Sequence, residues 1–220
     1  MHDRAFRPRE ALSCYLPAAK LTPNDPALLV RIARQYVYTM EEVSSDAKKR
    51  EAGETALRYA EEAARISPTD SDAHLSIAIS LGKMTPLMSN KEKVQVSRRI
   101  KQSAEEAVRL NPRSDYAWHL LGRWHQALAD MSSLMRGIVR LVYGSLPPAS
   151  NTEAVRCFKK AIELQPTRLI HHIELGRTYA QMDKEAEARV EINKGLSMPN
   201  TERDDDETKR RGRATLAELD

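Results

Sequence analysis

The stretch AVRLNPRSDYAWHL, residues 107–120, decides the fold. An apolar helix end at Ala107 to Leu110 runs into Pro112, and a polar stretch suited to capping a following helix comes next. Three other segments repeat this junction: AAKLTPNDPALL at 18–29, AARISPTDSDAHL at 63–75 and AIELQPTRLIHHIEL at 161–175. In the first of these, Asp25 precedes Pro26, a cap followed by proline at the first helical position. Behind each proline, mostly small residues, with an aromatic or aliphatic one in places, recur at fixed offsets: Ala18, Tyr15 and Ala11; Ala63, Ala60 and Ala56; Ala107, Ala104 and Ile100; Ala161, Phe158 and Ala154. Small side chains at such positions let neighbouring helices approach closely.

Trp118-x-x-Leu121-Gly122 and Leu175-Gly176-x-x-Tyr179 resemble the W-x₂-L-G-x₂-Y pattern of tetratricopeptide repeats, of which Ile32-Ala33-x-x-Tyr36 and Ile77-Ala78-x-x-Leu81 keep traces. The proline intervals are 45, 44 and 54 residues, against a usual period of about 34. In the first two repeats the extra length makes the second helix long, over roughly 45–66 and 91–110. In the third it forms an extra segment, 130–144, whose Met131, Leu134, Met135, Ile138, Leu141 and Val142 share one helical face opposite Ser132, Ser133, Arg136 and Arg140. Gly144 and Pro147-Pro148 end it, and Ser150-x-x-Glu153 reads as a capping box for the next helix.

The chain therefore reads as all-α, a tetratricopeptide-like right-handed superhelix of four helix pairs with long second helices and one extra amphipathic helix. The single domain divides into a remnant N-terminal helix (8–24), repeat 1 (25–70), repeat 2 (71–114), repeat 3 (115–168), repeat 4 (169–202) and a capping helix or tail (203–220). The unpaired first helix implies a native chain that begins further upstream.

Composition agrees. With 220 residues, 41% hydrophobic, 5% aromatic and 8 glycines, helix is favoured over strand and a sizeable core is available. The net charge of +4 is a modest excess without the concentrated basic patch that nucleic acid demands. Cys14 and Cys157 are too few for a disulfide framework or a thiolate zinc site, which places the chain in a reducing compartment. Neither a secretory signal nor a transmembrane stretch is present, which makes the expected location cytoplasmic, at a microtubule or organelle surface.

More specific are Leu120-Leu121-Gly122-Arg123-Trp124, the block Tyr143-Gly144-Ser145-Leu146-Pro147-Pro148-Ala149-Ser150, then Glu153-Ala154, Phe158-Lys159-Lys160-Ala161 and Leu196-Ser197-Met198-Pro199. Through these, residues 45–220 resemble the regulator of microtubule dynamics family. The resemblance implies a non-enzymatic helical-repeat protein associated with microtubules and spindle poles, with tubulin as the partner. Some animal members are tethered at organelle membranes by an N-terminal apolar anchor, which this sequence lacks.

In a tetratricopeptide superhelix the first helix of each pair lines the concave surface. With each repeat starting three residues after its proline, the fifth position is Val30, Leu75, His119 and Ile173, and the ninth is Arg34, Ile79, Arg123 and Arg177. A groove of apolar wall and aligned guanidinium groups suits an acidic peptide or an anionic lipid. Equally, each arginine can pair with a neighbouring carboxylate or lie in solvent. The extra helix likewise either covers its own solenoid or presents Met131, Leu134, Met135, Ile138 and Val142 to a partner or membrane. The basic run KEKVQVSRRIK, 91–101, is either a solvated face or a footprint for an acidic surface.

No catalytic residue, cofactor or metal motif is read. His171 and His172 are adjacent, and His119 and His125 lie six apart, so neither pair shares a helix face. There is no glycine-rich phosphate loop and no nucleophile turn.

Overall fold

Each junction proline sits in a short turn between two helices, and at three of the four the residue before the next helix, Asp25, Asp70 or Ser114, caps it with its side chain, while Arg168 makes no such bond. The computed structural model describes residues 7–131, 137, 139, 141 and 147–219. Among these are ten α-helices and no strand: α1 (Pro8–Leu21), α2 (Pro26–Glu42), α3 (Asp46–Ile66), α4 (Ser71–Met84), α5 (Asn90–Leu110), α6 (Asp115–Ala129), α7 (Asn151–Leu164), α8 (Leu169–Ala180), α9 (Glu185–Ser197) and α10 (Asp205–Glu218). The fold is tetratricopeptide-like, with α2 and α3, α4 and α5, α6 and α7, and α8 and α9 as its four pairs.

The caps follow the sequence with one exchange. Asp25 Oδ1 accepts from the Leu28 amide at 3.1 Å, and Ser114 Oγ from that of Ala117 at 3.3 Å. Ser150 accepts from the Glu153 amide, but the Glu153 carboxylate turns to Arg156 instead of closing the box. A full capping box stands at α5, where Ser89 and Glu92 exchange side-chain and backbone bonds. The guanidinium one turn along competes for Glu153, whereas Glu92 keeps its bond to the Ser89 amide at 2.7 Å.

Contacts divide the chain into two units, Met1–Pro112 and Arg113–Asp220. In the first, α1 packs on α2, α2 on α3 and α4, α3 on α4, and α4 on α5. Its interior is lined by the alanines behind the prolines: Ala56, Ala60, Ala63, Ala104 and Ala107 are fully buried. In the second, α6 packs on α7, α7 on α8, α8 on α9, and α10 covers α8 and α9. Ala154, Phe158 and Ala161 are fully buried there. At Gly122 a Cβ would stand 2.9 Å from the Phe158 ring. At Gly176 it would meet the Ala188 carbonyl at 2.8 Å and the Ile192 amide nitrogen at 2.9 Å, so only glycine admits this approach of α8 to α9.

Of the expected extra-helix face only Met131, half-buried, and Leu141 are among the described residues; Leu134, Met135, Ile138 and Val142 fall outside them. Val139 is buried, and Leu141, expected on the apolar face, is 88% exposed. Two residues apart on a helix point about 200° apart, so a helix that buries Val139 turns Leu141 outward. No helix among the described residues is long and apolar enough to cross a membrane.

Candidate binding site

The site is built around a carboxylate where the repeat places core residues. On α8, in the segment LIHHIELG, Ile173 and Leu175 are buried, and so is Glu174 between them, at 0% exposure. An isolated buried carboxylate is strongly disfavoured, so it requires charge and hydrogen bonds from its surroundings.

Three helices provide them. Arg123 of α6 contacts Glu174 Oε2 through Nη1. Arg177, one turn along α8, donates from Nη1 to the same oxygen at 2.8 Å, and Arg211 of α10 donates from Nη2 to Oε1 at 3.0 Å. A ring of neutral groups orients them. Gln126 Oε1 accepts from Arg123 at 2.9 Å while its Nε2 donates to Thr178 Oγ1 at 2.9 Å, and the Arg177 Nε–H donates to Thr215 at 3.3 Å. Burial pushes the Glu174 carboxyl up, but Arg123, Arg177 and Arg211 together outweigh it and hold the group down at about 2. Glu174 is therefore an anion at any physiological pH. The guanidinium groups are only partly covered: the side chains of Arg123, Arg177 and Arg211 are 36%, 25% and 31% exposed.

Beside this cluster lies a histidine pair. His171 Nε2 is 2.9 Å from Asp115 Oδ2, and His171 Nδ1 is 3.0 Å from His119 Nδ1. A carboxylate only accepts, so the His171 proton sits on Nε2, its Nδ1 is a lone pair, and His119 donates from Nδ1. Burial pushes both imidazoles below the ordinary histidine range; for His119 the neighbouring His171, Arg123 and Arg211 add to the effect. Arg168 closes the network, its Nε 3.3 Å from Asp115 and its guanidinium over the Tyr116 ring. His172 takes no part: its ring nitrogens face Glu191 at 2.7 Å and the Pro166 carbonyl at 3.1 Å.

Of the residues singled out by register, the second unit thus brings together Arg123 and Arg177, with buried His119 nearby. Ile173 is not on a wall but fully buried, packed towards Gly195 and Gly212. Val30, Arg34 and Leu75 belong to the other unit, where Val30 packs on Leu29, Ala63 and Ala73, Leu75 is buried, and exposed Arg34 acts on Asp72. Glu174, Gln126 and Arg211 escaped the sequence reading. The available signal was a glutamate between two core residues, three positions before an arginine. In the basic run, Arg99 pairs with Glu61, Lys101 with Glu105, and Glu92 with Arg50. Among the described residues no cluster of His, Cys, Asp or Glu is arranged to hold a metal ion.

Comparison with known proteins gives this geometry a context. The family model described as regulator of microtubule dynamics protein 1-3 matches residues 1–220. The mouse protein named regulator of microtubule dynamics protein 1 is 30% identical over 185 residues, covering 82% of this chain and 60% of its own. The rat protein named regulator of microtubule dynamics protein 3 is 25% identical, over 80% of this chain and 38% of its own. The chain thus spans less than two thirds of the length of these relatives. Among solved structures, a thermophilic TPR protein of Thermus thermophilus superposes with a TM-score of 0.70 at 17% identity, covering 96% of this chain and 91% of that one. MamA from Desulfovibrio magneticus RS-1 gives 0.56 at 17% identity, over 87% and 85%. At such identities these two likenesses speak for the fold alone.

Proposed function

The chain belongs to the regulator of microtubule dynamics family, and from that premise we propose that it is a non-catalytic interaction scaffold of the cytoplasm that binds microtubules. The observation that carries the reading is the arrangement of the second unit. Two arginines singled out by the repeat register, Arg123 and Arg177, emerge on one surface and are fixed there by a buried anion, while the apolar positions around them serve the core. Rigidly held, partly exposed guanidinium groups suit a protein surface rich in carboxylates. An anionic lipid is the weaker occupant: Leu75 and Ile173, expected as its apolar wall, are buried, and the groups around the arginines are glutamine and threonine. Catalysis has no support in His119, His171 and His172, which are engaged with one another, with Asp115, with Glu191 and with a carbonyl.

Co-sedimentation with stabilised microtubules tests the reading. The protein should pellet with polymer in a saturable manner and be released by salt; recovery in the supernatant at every polymer concentration would refute microtubule binding.

A further inference from the structure

Arg123, Arg177 and Arg211 neutralise one carboxylate with three charges. The neighbouring Glu207 lies 3.8 Å from Arg211 but is bonded to its own Arg210, so among the described residues an excess of two positive charges remains. One arginine with good hydrogen bonds compensates a buried glutamate; the second and third add mutual repulsion unless another anion arrives. Their hydrogen-bonding capacity is also incompletely used. Arg123 spends Nη1 on both Glu174 and Gln126, leaving Nε and Nη2 without a partner among the described residues, and Arg177 leaves its Nη2 likewise. The floor beneath is Gln126, Thr178, Thr208 and Thr215, polar throughout and buried, so it holds the forks in place and offers no apolar trough for an acyl chain.

We propose that the Arg123–Arg177–Arg211 cradle over buried Glu174 is a binding site for the side-chain carboxylates of an acidic peptide segment of a protein partner. The inference rests on the scaffold reading and deepens it by naming the recognised chemistry and adding Arg211 to the site. Glu174 acts as a positioning residue: it stands where a first carboxylate would bind, draws three helices' guanidinium groups together, and leaves their outer edges for the second. Charge complementarity selects the partner, and the planar forks select carboxylate pairs over a single point charge.

The test is fluorescence anisotropy with a labelled octaglutamate peptide, with octaglutamine as the neutral probe, on the full chain at low and physiological salt. Octaglutamate should bind and octaglutamine should not. Arg123→Gln should weaken binding about tenfold and Arg123→Lys less, with circular dichroism and thermal unfolding run on each variant. Arg58→Gln removes an exposed arginine in the other unit and should leave binding unchanged. Should Arg123→Gln fail to fold, Arg177→Lys, which keeps the charge and loses the fork, replaces it and should show a similar drop. Equal weakening by Arg58→Gln, or no binding of octaglutamate by a folded protein, would overturn the proposal. So would binding to phosphatidylserine vesicles that depends on Arg123 while octaglutamate is ignored. If the protein pellets with microtubules yet ignores octaglutamate, this inference fails and the scaffold reading stands. If it binds octaglutamate through Arg123 and does not pellet, the inference stands and the microtubule partner is wrong.

Discussion

Glu174 concentrates the energetics of the second unit on one carboxylate. Removing it leaves three guanidinium groups facing one another over a buried floor. Glu174→Ala should therefore destabilise the protein by about 3–5 kcal/mol in urea unfolding, the range for breaking a buried ion pair. The pH dependence has a definite sign. The carboxyl titrates at about 2 when folded and at its ordinary 4.5 when unfolded. Its contribution, roughly 3 kcal/mol, is thus present above pH 4.5 and lost as pH falls towards 2. His119 and His171 act in a higher window, because the unfolded chain takes up protons as pH falls through 6.5 while the buried pair, shifted below that value, takes them up less readily. Stability should decline from about pH 6.5 downward and more steeply below 4.5, with Glu174→Gln losing the acidic part of the slope. In ¹⁵N NMR at about pH 7.5, above the ordinary histidine value, His171 should carry its proton on Nε2 and His119 on Nδ1; the opposite tautomer at either ring would contradict the assignment.

Between helices, stability depends on how closely backbones approach. Gly176 faces backbone atoms of α9, which cannot move aside, whereas a Cβ at Gly53 would meet the flexible side chain of Met84. Gly176→Ala should cost more than Gly53→Ala, about 1–3 kcal/mol against less than about 1; thermal unfolding of the two variants checks the order. This scale was the most legible in the sequence. The prolines and the alanine ladder mark helix ends and buried seams because they are local, periodic signals, and α3 and α5 begin and end within a residue of the expected positions. The capping exchange at Glu153 was not legible, since Ser-x-x-Glu is equally present whether the carboxylate folds back or pairs with the arginine three residues on. Nor was the cradle. Register placed Arg123 and Arg177, but their shared partner is 51 positions from Arg123 and Arg211 comes from a helix outside the repeats. Periodicity reveals which face is apolar; it does not reveal which charges from three helices meet.

The whole molecule belongs to the regulator of microtubule dynamics family and has a tetratricopeptide-like fold, and the proposed cradle would give its binding role a chemical form. The central claim is that partner binding runs through Arg123, Arg177 and Arg211. The most direct measurement is microtubule co-sedimentation of wild type, Arg123→Gln and Arg58→Gln side by side, with folding of each verified. The account predicts that wild type and Arg58→Gln pellet alike while Arg123→Gln stays largely in the supernatant. A folded Arg123→Gln protein that pellets as wild type does would contradict it and return the cradle to a purely structural role.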